Sequence, residues 1–307
     1  MSRSTSFRLA MIAVCLVTMG ATVARAAFGD PATSTANLFA TDTLDPPTAL
    51  SATVAGTTVN LSWTGTSDTY ASGHRVLRGT VSGGPYTQIA QITPRTTTTY
   101  ADPTGGGTFY YVVRAYFQNW ESANSNQVSA IVTTNTGLTG CSANAAVTTN
   151  SGDNNGFQLN PGNACADDAA FAEDTNSGTA SSAVCSSTAR DRHLFFNYGF
   201  SIPVGATING IEVRLDAWAD STAGTPQICV ELSWNGGTTW TAAKTTAALT
   251  ATQATYMLGS ASDTWGRTWS AAELSNANLR VRLTMVASST ARAFRLDWVP
   301  VQVTYTP

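Results

Sequence analysis

Apolar and polar residues alternate with a period of two wherever this chain carries a pattern. Val59, Leu61 and Trp63 point one way, Val76 and Leu77 mark the next segment, and Phe109, Tyr111, Val113 and Ala115 alternate again. Further on, Ile211, Val213, Leu215 and Ala217 alternate with Glu212, Arg214, Asp216 and Trp218. Ile228, Val230 and Leu232 alternate with Cys229 and Glu231, and Leu279, Val281 and Leu283 with Arg280 and Arg282. Phe294, Leu296 and Trp298 alternate with Arg295 and Asp297, and Val301, Val303 and Tyr305 close the chain. Such alternation marks half-buried strands of antiparallel sheets, one face packed and one solvated. Gly83-Gly84-Pro85 and Asn235-Gly236-Gly237 are turn signals between strands. Residues 271–274 read as one helical turn. The pattern predicts an all-β protein of two β-sandwich domains, the second a jelly roll.

Punctuation places the boundaries. Pro46-Pro47 opens the first domain, expected over 45–132. Residues 133–140 (TTNTGLTG) lack apolar periodicity and read as a linker. The second domain is expected over 141–307. Residues 27–44 are polar and Thr-rich, a flexible leader or an extended strand. At the N-terminus, Arg3 and Arg8 precede an uncharged run from Leu9 to Val23, and Ala24-Arg25-Ala26 fits a small-x-small cleavage site. That order is a secretory signal peptide over 1–26, with an uncleaved N-terminal anchor as the alternative. No membrane span is expected after cleavage, because no later segment is long and apolar enough.

Composition supports the β reading and narrows the partners. Charged residues are only 11% of 307, against about 25% in ordinary soluble domains. Thr, Ser, Asn, Ala and Gly take their place, and Thr suits pleated surfaces. Lys244 is the only lysine. Cleavage removes three Arg and no acid, leaving 13 bases against 19 acids, a charge of −6. That balance argues against nucleic acid and anionic membrane as partners. Cys15 leaves with the signal, and Cys141, Cys165, Cys185 and Cys229 remain. Four cysteines in an exported chain imply two disulfides, with three connectivities open. Chain order favours Cys141–Cys165 with Cys185–Cys229.

Particular residues carry family resemblances. Pro46-Pro47, the Leu61-Ser62-Trp63 strand, residues 73–78 (GHRVLR), 83–86 (GGPY), 99–102 (TYAD) and 109–116 (FYYVVRAY) stand in the order of bacterial fibronectin type III domains. The resemblance implies a sandwich with Trp63 as core tryptophan. Tyr111 would be the corner tyrosine, its hydroxyl tied back to the backbone. Glu121-Ser122 and Ser125-Asn126 match the lead into the last strand. His74 departs from the pattern, where an aromatic such as Tyr is usual. This family implies a spacer or platform more than an activity. Residues 200–208, 232–240 and 265–269 with the closing Leu-Asp-Trp-Val strand resemble an uncharacterised sandwich module of secreted bacterial and phage structural proteins. The leader, through Ala27, Phe28, Asp30, Ala32, Thr33, Asn37, Phe39, Thr41, Thr43 and Leu44, resembles the start of mature TasA- and camelysin-type fibre subunits.

Candidate sites lie in the second domain. If its strands are neighbours, Glu212, Arg214, Asp216, Trp218, Glu231, Arg280, Arg282, Arg295 and Asp297 share one face. Carboxylates, guanidinium and an aromatic ring on a sheet face suit a sugar. A solvated face with cross-strand ion pairs shows the same alternation. Trp234, Trp240, Trp265 and Trp269 fall at turns, either facing ligand or plugging the sandwich ends. Trp265 and Trp269 flank a Gly-Arg pair that places Arg267 between two rings. Asp167, Asp168, Glu173 and Asp174 cluster in sequence. Jelly-roll modules of the galactose-binding kind often hold a structural calcium, which makes Asp167, Asp168, Asp174 and Asp297 candidate ligands. The alternative is a solvated Asp/Asn-rich loop.

No catalytic motif is recognisable, and His193 reads as a strand-end hydrogen-bonder. The expectation is a secreted, non-enzymatic structural or adhesive protein whose partners are extracellular polysaccharide or other surface proteins, with self-assembly open. The alternatives are a carbohydrate-binding module and a fibre subunit that assembles by strand addition through its leader.

Overall fold

The computed structural model describes residues 43–307. The expected signal peptide and all of the leader but Thr43 and Leu44 lie outside the described residues. Leu44 is buried against Ala71 and Ala115.

Eight strands make the first sandwich: β1 (Thr48–Ala55), β2 (Thr58–Thr64), β3 (Gly73–Gly79), β4 (Thr87–Ile92), β5 (Thr99–Pro103), β6 (Gly107–Phe117), β7 (Trp120–Glu121) and β8 (Val128–Val132). One sheet runs β1-β2-β5, the other β4-β3-β6-β7 with β8 on β6. The alternating residues meet between them. Val59, Leu61 and Trp63 pack on Val76, Tyr111 and Val113. A fully buried aliphatic or aromatic side chain contributes about 1.5–3 kcal/mol, so this set dominates the stability of the sandwich. His74 is buried and meets Trp63 edge-on at 5.5 Å, so it serves as the aromatic the position calls for. Its Nδ1 lies 3.2 Å from the Thr97 carbonyl oxygen, and burial lowers its pKa.

The segment before β8 is held to β6 by backbone bonds and by side chains together. Ser122 Oγ accepts the Ala115 N–H and Ser125 Oγ the Val113 N–H, each at 2.9 Å. Asn126 exchanges two bonds with the backbone of Leu50. These bonds satisfy strand groups that would otherwise lack partners.

Eleven strands follow: β9 (Thr134–Asn135), β10 (Ala143–Ala146), β11 (Ala172–Asp174), β12 (Arg192–Phe196), β13 (Thr207–Ala219), β14 (Gln227–Ser233), β15 (Lys244–Thr245), β16 (Ala254–Gly259), β17 (Arg280–Val286), β18 (Phe294–Trp298) and β19 (Val301–Thr306). One sheet runs β10-β12-β17-β14-β15. The other runs β11-β18-β13-β19-β9, with β16 on the second edge of β13. From β12 to β18 the long strands alternate between the sheets. Ile211, Val213 and Leu215 of β13 therefore face Ile228, Val230, Val281 and Leu283 across one core. Two short helical turns interrupt the strands: Ala271–Leu274, where expected, and Pro161–Ala164.

Two local features differ from the expected layout. Residues 133–140 are not a free linker: Asn135 and Thr134 pair with Thr304 and Tyr305, and Thr139 bridges Val301. Only Thr133 lies between β8 and β9. An exposed strand edge accepts any segment with free N–H and C=O groups, so apolar periodicity is not required for such pairing. The second feature is the end of the chain. β18 and β19 form one path along β13, interrupted at Val299-Pro300, and a register shift there sets Asp216 opposite Trp298 and Ala217 opposite Leu296. Asp297 is the extra residue of a bulge.

Both disulfides form in chain order. Cys141 bonds Cys165 and Cys185 bonds Cys229.

Candidate functional site

The outer face of β13, β16 and β18 follows from register. Rows of neighbours run Trp218–Arg295–Glu173 and Thr255–Asp216–Trp298 across the sheet. Arg214 Nε donates to Asp216 Oδ1 at 3.0 Å, and a second nitrogen lies 2.7 Å from Oδ2. Thr255 Oγ1 donates to the same Oδ1 at 2.6 Å. The Arg214 guanidinium also stands 5.1 Å from the Trp298 ring centre. Asp216 is thus fixed, 2% exposed, beneath half-buried Arg214 and Trp298. Beside it, Trp218 meets Phe171 edge-on at 5.0 Å, and Arg295 pairs with Glu173 at 3.0 Å. Asp297 accepts from Gln253 Nε2 at 2.8 Å.

The expected nine-residue face divides in two. Glu212, Arg214, Asp216, Trp218, Arg295 and the bulged Asp297 lie on this sheet. Glu231, Arg280 and Arg282 lie on the other sheet and face the opposite way, because β14 and β17 pair with each other and not with β13. There Arg282 bonds Glu231 at 2.8 Å and covers the Trp240 ring at 4.0 Å. A period of two fixes which residues share a strand face but not which strands share a sheet. Trp298 is a member of the site that the alternation assigned to the core. The bulge at Asp297 turns it outward.

Trp265 and Trp269 are not ligand-facing. Both are buried in the core, with indole N–H groups donating to the carbonyls of Ile211 and Thr264 at 2.9 and 2.8 Å. Arg267 does stand between two rings, but they are Trp234 at 4.1 Å and Trp269 at 4.4 Å. Its nitrogen is also bound to Glu273 at 2.7 Å, so this group braces the turn and presents no free guanidinium face.

The expected calcium ligands do not converge. Asp167 and Asp168 are exposed, and Asp168 accepts the Ala170 N–H in its own loop. Asp297 belongs to the outer sheet face, while Asp174 is fully buried on the opposite side of β11 from Glu173. Among the described residues no three His, Cys, Asp or Glu form a ready ligand set.

His193 is a core residue. Its Nδ1 accepts the Phe157 N–H at 3.2 Å, so Nε2 carries the proton and donates to Asn144 Oδ1 at 3.0 Å. Burial lowers its pKa to about 4, so the ring is neutral. In the first sandwich, Tyr111 ties back as expected of a corner tyrosine, but to a side chain: its hydroxyl donates to Asp102 Oδ2 at 2.8 Å, not to backbone.

No protein-family model and no curated protein matches the chain. Among solved structures, an Fn3-like protein from Clostridium thermocellum is 38% identical over 29% of this chain and 92% of its own, with a TM-score of 0.26. The fibronectin type-III domain of human fibronectin type III domain containing protein 3 is 19% identical over 30% and 89%, TM-score 0.25. Pectate lyase PelI from Erwinia chrysanthemi, solved with tetragalacturonic acid, is 24% identical over 26% of each chain, TM-score 0.23. Each of these three matches covers less than a third of this chain, whose described residues form an all-β fold.

Proposed function

We propose that this is an exported, non-enzymatic adhesive protein whose second sandwich holds polysaccharide on the outer face of β13, β16 and β18, with the fibronectin-like sandwich as spacer. The arrangement of Arg214, Asp216, Trp218 and Trp298 carries the reading. The Arg214 guanidinium, held in place by the buried Asp216 carboxylate, donates to sugar hydroxyls, and half-buried rings cover the apolar face of a pyranose. The two disulfides support export, since such bonds persist in oxidising compartments.

The test is a glycan and polysaccharide binding screen on the oxidised full chain, followed by Trp218→Ala and Asp216→Asn. Saturable binding that both variants lose supports the reading. Binding that neither variant weakens moves the site elsewhere, and a folded protein that holds no glycan removes the carbohydrate reading altogether.

A further inference from the structure

The outer face of β12, β17 and β14, on the sheet opposite β13, gathers cations. Across β12 and β17, Phe196 stands opposite Arg280, Leu194 opposite Arg282 and Arg192 opposite Thr284. On the far side of β17, Arg282 stands opposite Glu231 and Thr284 opposite Cys229. The alternate residues, such as Phe195, Val281 and Leu283, fill the core, so these rows point away from it. Three arginines therefore share the face with one carboxylate. The chain beyond residue 26 has the reverse balance, 13 bases against 19 acids, so this local sign is not inherited from composition.

One end of the face is covered. Arg192, Thr284 and Cys229 are buried although they point outward. The irregular segment 180–189 lies over that row. Its Cys185 is bonded to Cys229, its Ser182 exchanges two backbone bonds with Ala287 at 3.0 Å, and its Ser187 carbonyl accepts from Arg192 Nη2 at 2.9 Å. The segment walls the face on this side. Leu194, Phe196, Glu231, Arg280 and Arg282 are half-buried and reach solvent.

Both of the open arginines are seated on rings. Arg280 stands 4.5 Å from the Phe196 ring centre and Arg282 4.0 Å from that of Trp240. Such seating orients a planar guanidinium and leaves its edge donors for a ligand. Arg280 uses Nη1 on the carbonyls of Asn276 and Leu279, and Arg282 uses Nε and Nη2 on Glu231. Among the described residues, Arg280 Nε and Nη2 and Arg282 Nη1 have no partner. Arg192 adds charge behind them. Burial first, and then the like charge of Arg282, lower its pKa.

The geometry points to a second binding face here, for a linear chain of carboxylated sugars. The Arg280 and Arg282 guanidiniums donate to its carboxylates, and Leu194 and Phe196 meet its apolar ring faces. A guanidinium fork matches a carboxylate, and two unneutralised positive charges complement a polyanion. Arginines two residues apart on a strand stand about 7 Å from each other, and three strands span about 10 Å. That footprint admits one glycan strand. It falls far short of the roughly 800 Å² per partner of a standard protein interface, which disfavours a second copy of this chain as the occupant. The face is separate from that of β13 and does not rest on the reading given to it.

The experiment is titration of alginate, a linear polymer of carboxylated sugars, into the oxidised full chain, beside the same polymer with its carboxylates esterified. Saturable alginate binding that the ester lacks, and that weakens as salt rises, is expected. Arg280→Gln alters a half-exposed side chain and should weaken binding by about tenfold or more, the worth of one charge-assisted hydrogen bond. Glu231→Gln removes the competing carboxylate from Arg282 and should tighten binding, a gain that misfolding cannot produce. A folded chain that takes up no alginate, or takes up the ester equally, overturns the proposal. So does alginate binding that Trp218→Ala abolishes and Arg280→Gln leaves intact, which places the polymer on the β13 face. Sedimentation without glycan covers the remaining occupant: self-association that Arg280→Gln abolishes makes the face an interface between copies, and overturns the glycan.

Discussion

Tyr111 donates its hydroxyl to the Asp102 carboxylate at 2.8 Å, joining the middle of β6 to the end of β5 across the two sheets of the first sandwich. Asp102 also takes both oxygens' worth of contact from Arg78 Nη1, at 3.2 and 3.0 Å. The tyrosine is fully buried, so its polar atom has no route to water. Tyr111→Phe should cost about 1–3 kcal/mol, because it leaves a carboxylate oxygen short of a donor. Arg78→Ala should cost less, since that side chain is partly solvated. Denaturant melts of the two variants check the order, and a larger loss for Arg78→Ala would contradict it.

Two tryptophan substitutions separate packing from binding. Trp265→Ala empties a buried core position and should cost about 3–5 kcal/mol. Trp218→Ala acts on a half-buried ring on the outer sheet face. It should leave folding nearly intact while removing any glycan affinity. Melting and binding measured on the same two samples decide. Loss of binding in Trp265→Ala without loss of stability would reverse the assignment.

The disulfides span 24 and 44 residues. Loop-closure entropy gives each about 3–4 kcal/mol, slightly more for the longer loop. Replacing Cys185 and Cys229 together by Ser should lower the melting temperature of the second sandwich and leave the first unchanged. A reductant titration followed by calorimetry would show it as one transition moving and the other fixed.

The pH dependence has a defined sign. Asp174 and Asp191 titrate higher in the fold than their ordinary value of 3.8, so the folded state binds more protons than the unfolded one between about 4 and their raised values of about 8 and 7. Stability from these groups is full at low pH and is lost as pH rises through that window. His193 acts oppositely: its folded pKa of about 4 lies below 6.5, so its contribution is full above 6.5 and is lost as pH falls towards 4. Between 6.5 and 8 only the acids act. The second sandwich should therefore lose stability as pH rises from 6.5 to 8. Thermal melts across that range check it, and a slope that Asp174→Asn leaves unchanged would contradict it.

Much of the first sandwich was legible in the sequence. Trp63, Tyr111 and Val113 lie in its core because alternation selects one face of each strand. His74 is the instructive exception: it takes the aromatic role through its ring while its Nδ1 finds a backbone partner. The site was less legible. Arg214, Asp216 and Trp218 share a face as their spacing requires, yet Glu231 and Arg282 left them for the opposite sheet. Trp298 joined them only through the bulge at Asp297.

What the chain determines by itself is local. Period-two alternation, turn residues and an even number of cysteines in the later part are properties of neighbouring residues, and each has a direct steric or chemical cause. Those causes yield strands, parity, the count of bridges and the sandwich class. The tertiary structure decided the pairing: β9 completing a sheet edge out of a Thr-rich connection, β14 beside β17 and away from β13, and the meeting of Asp153, Asn176 and Asp191 from three separate stretches of chain. Such contacts depend on long-range packing and on which backbone groups remain unpaired at each edge. No local pattern along the chain encodes them, because the residues that meet are brought together only when both sheets close on a common core.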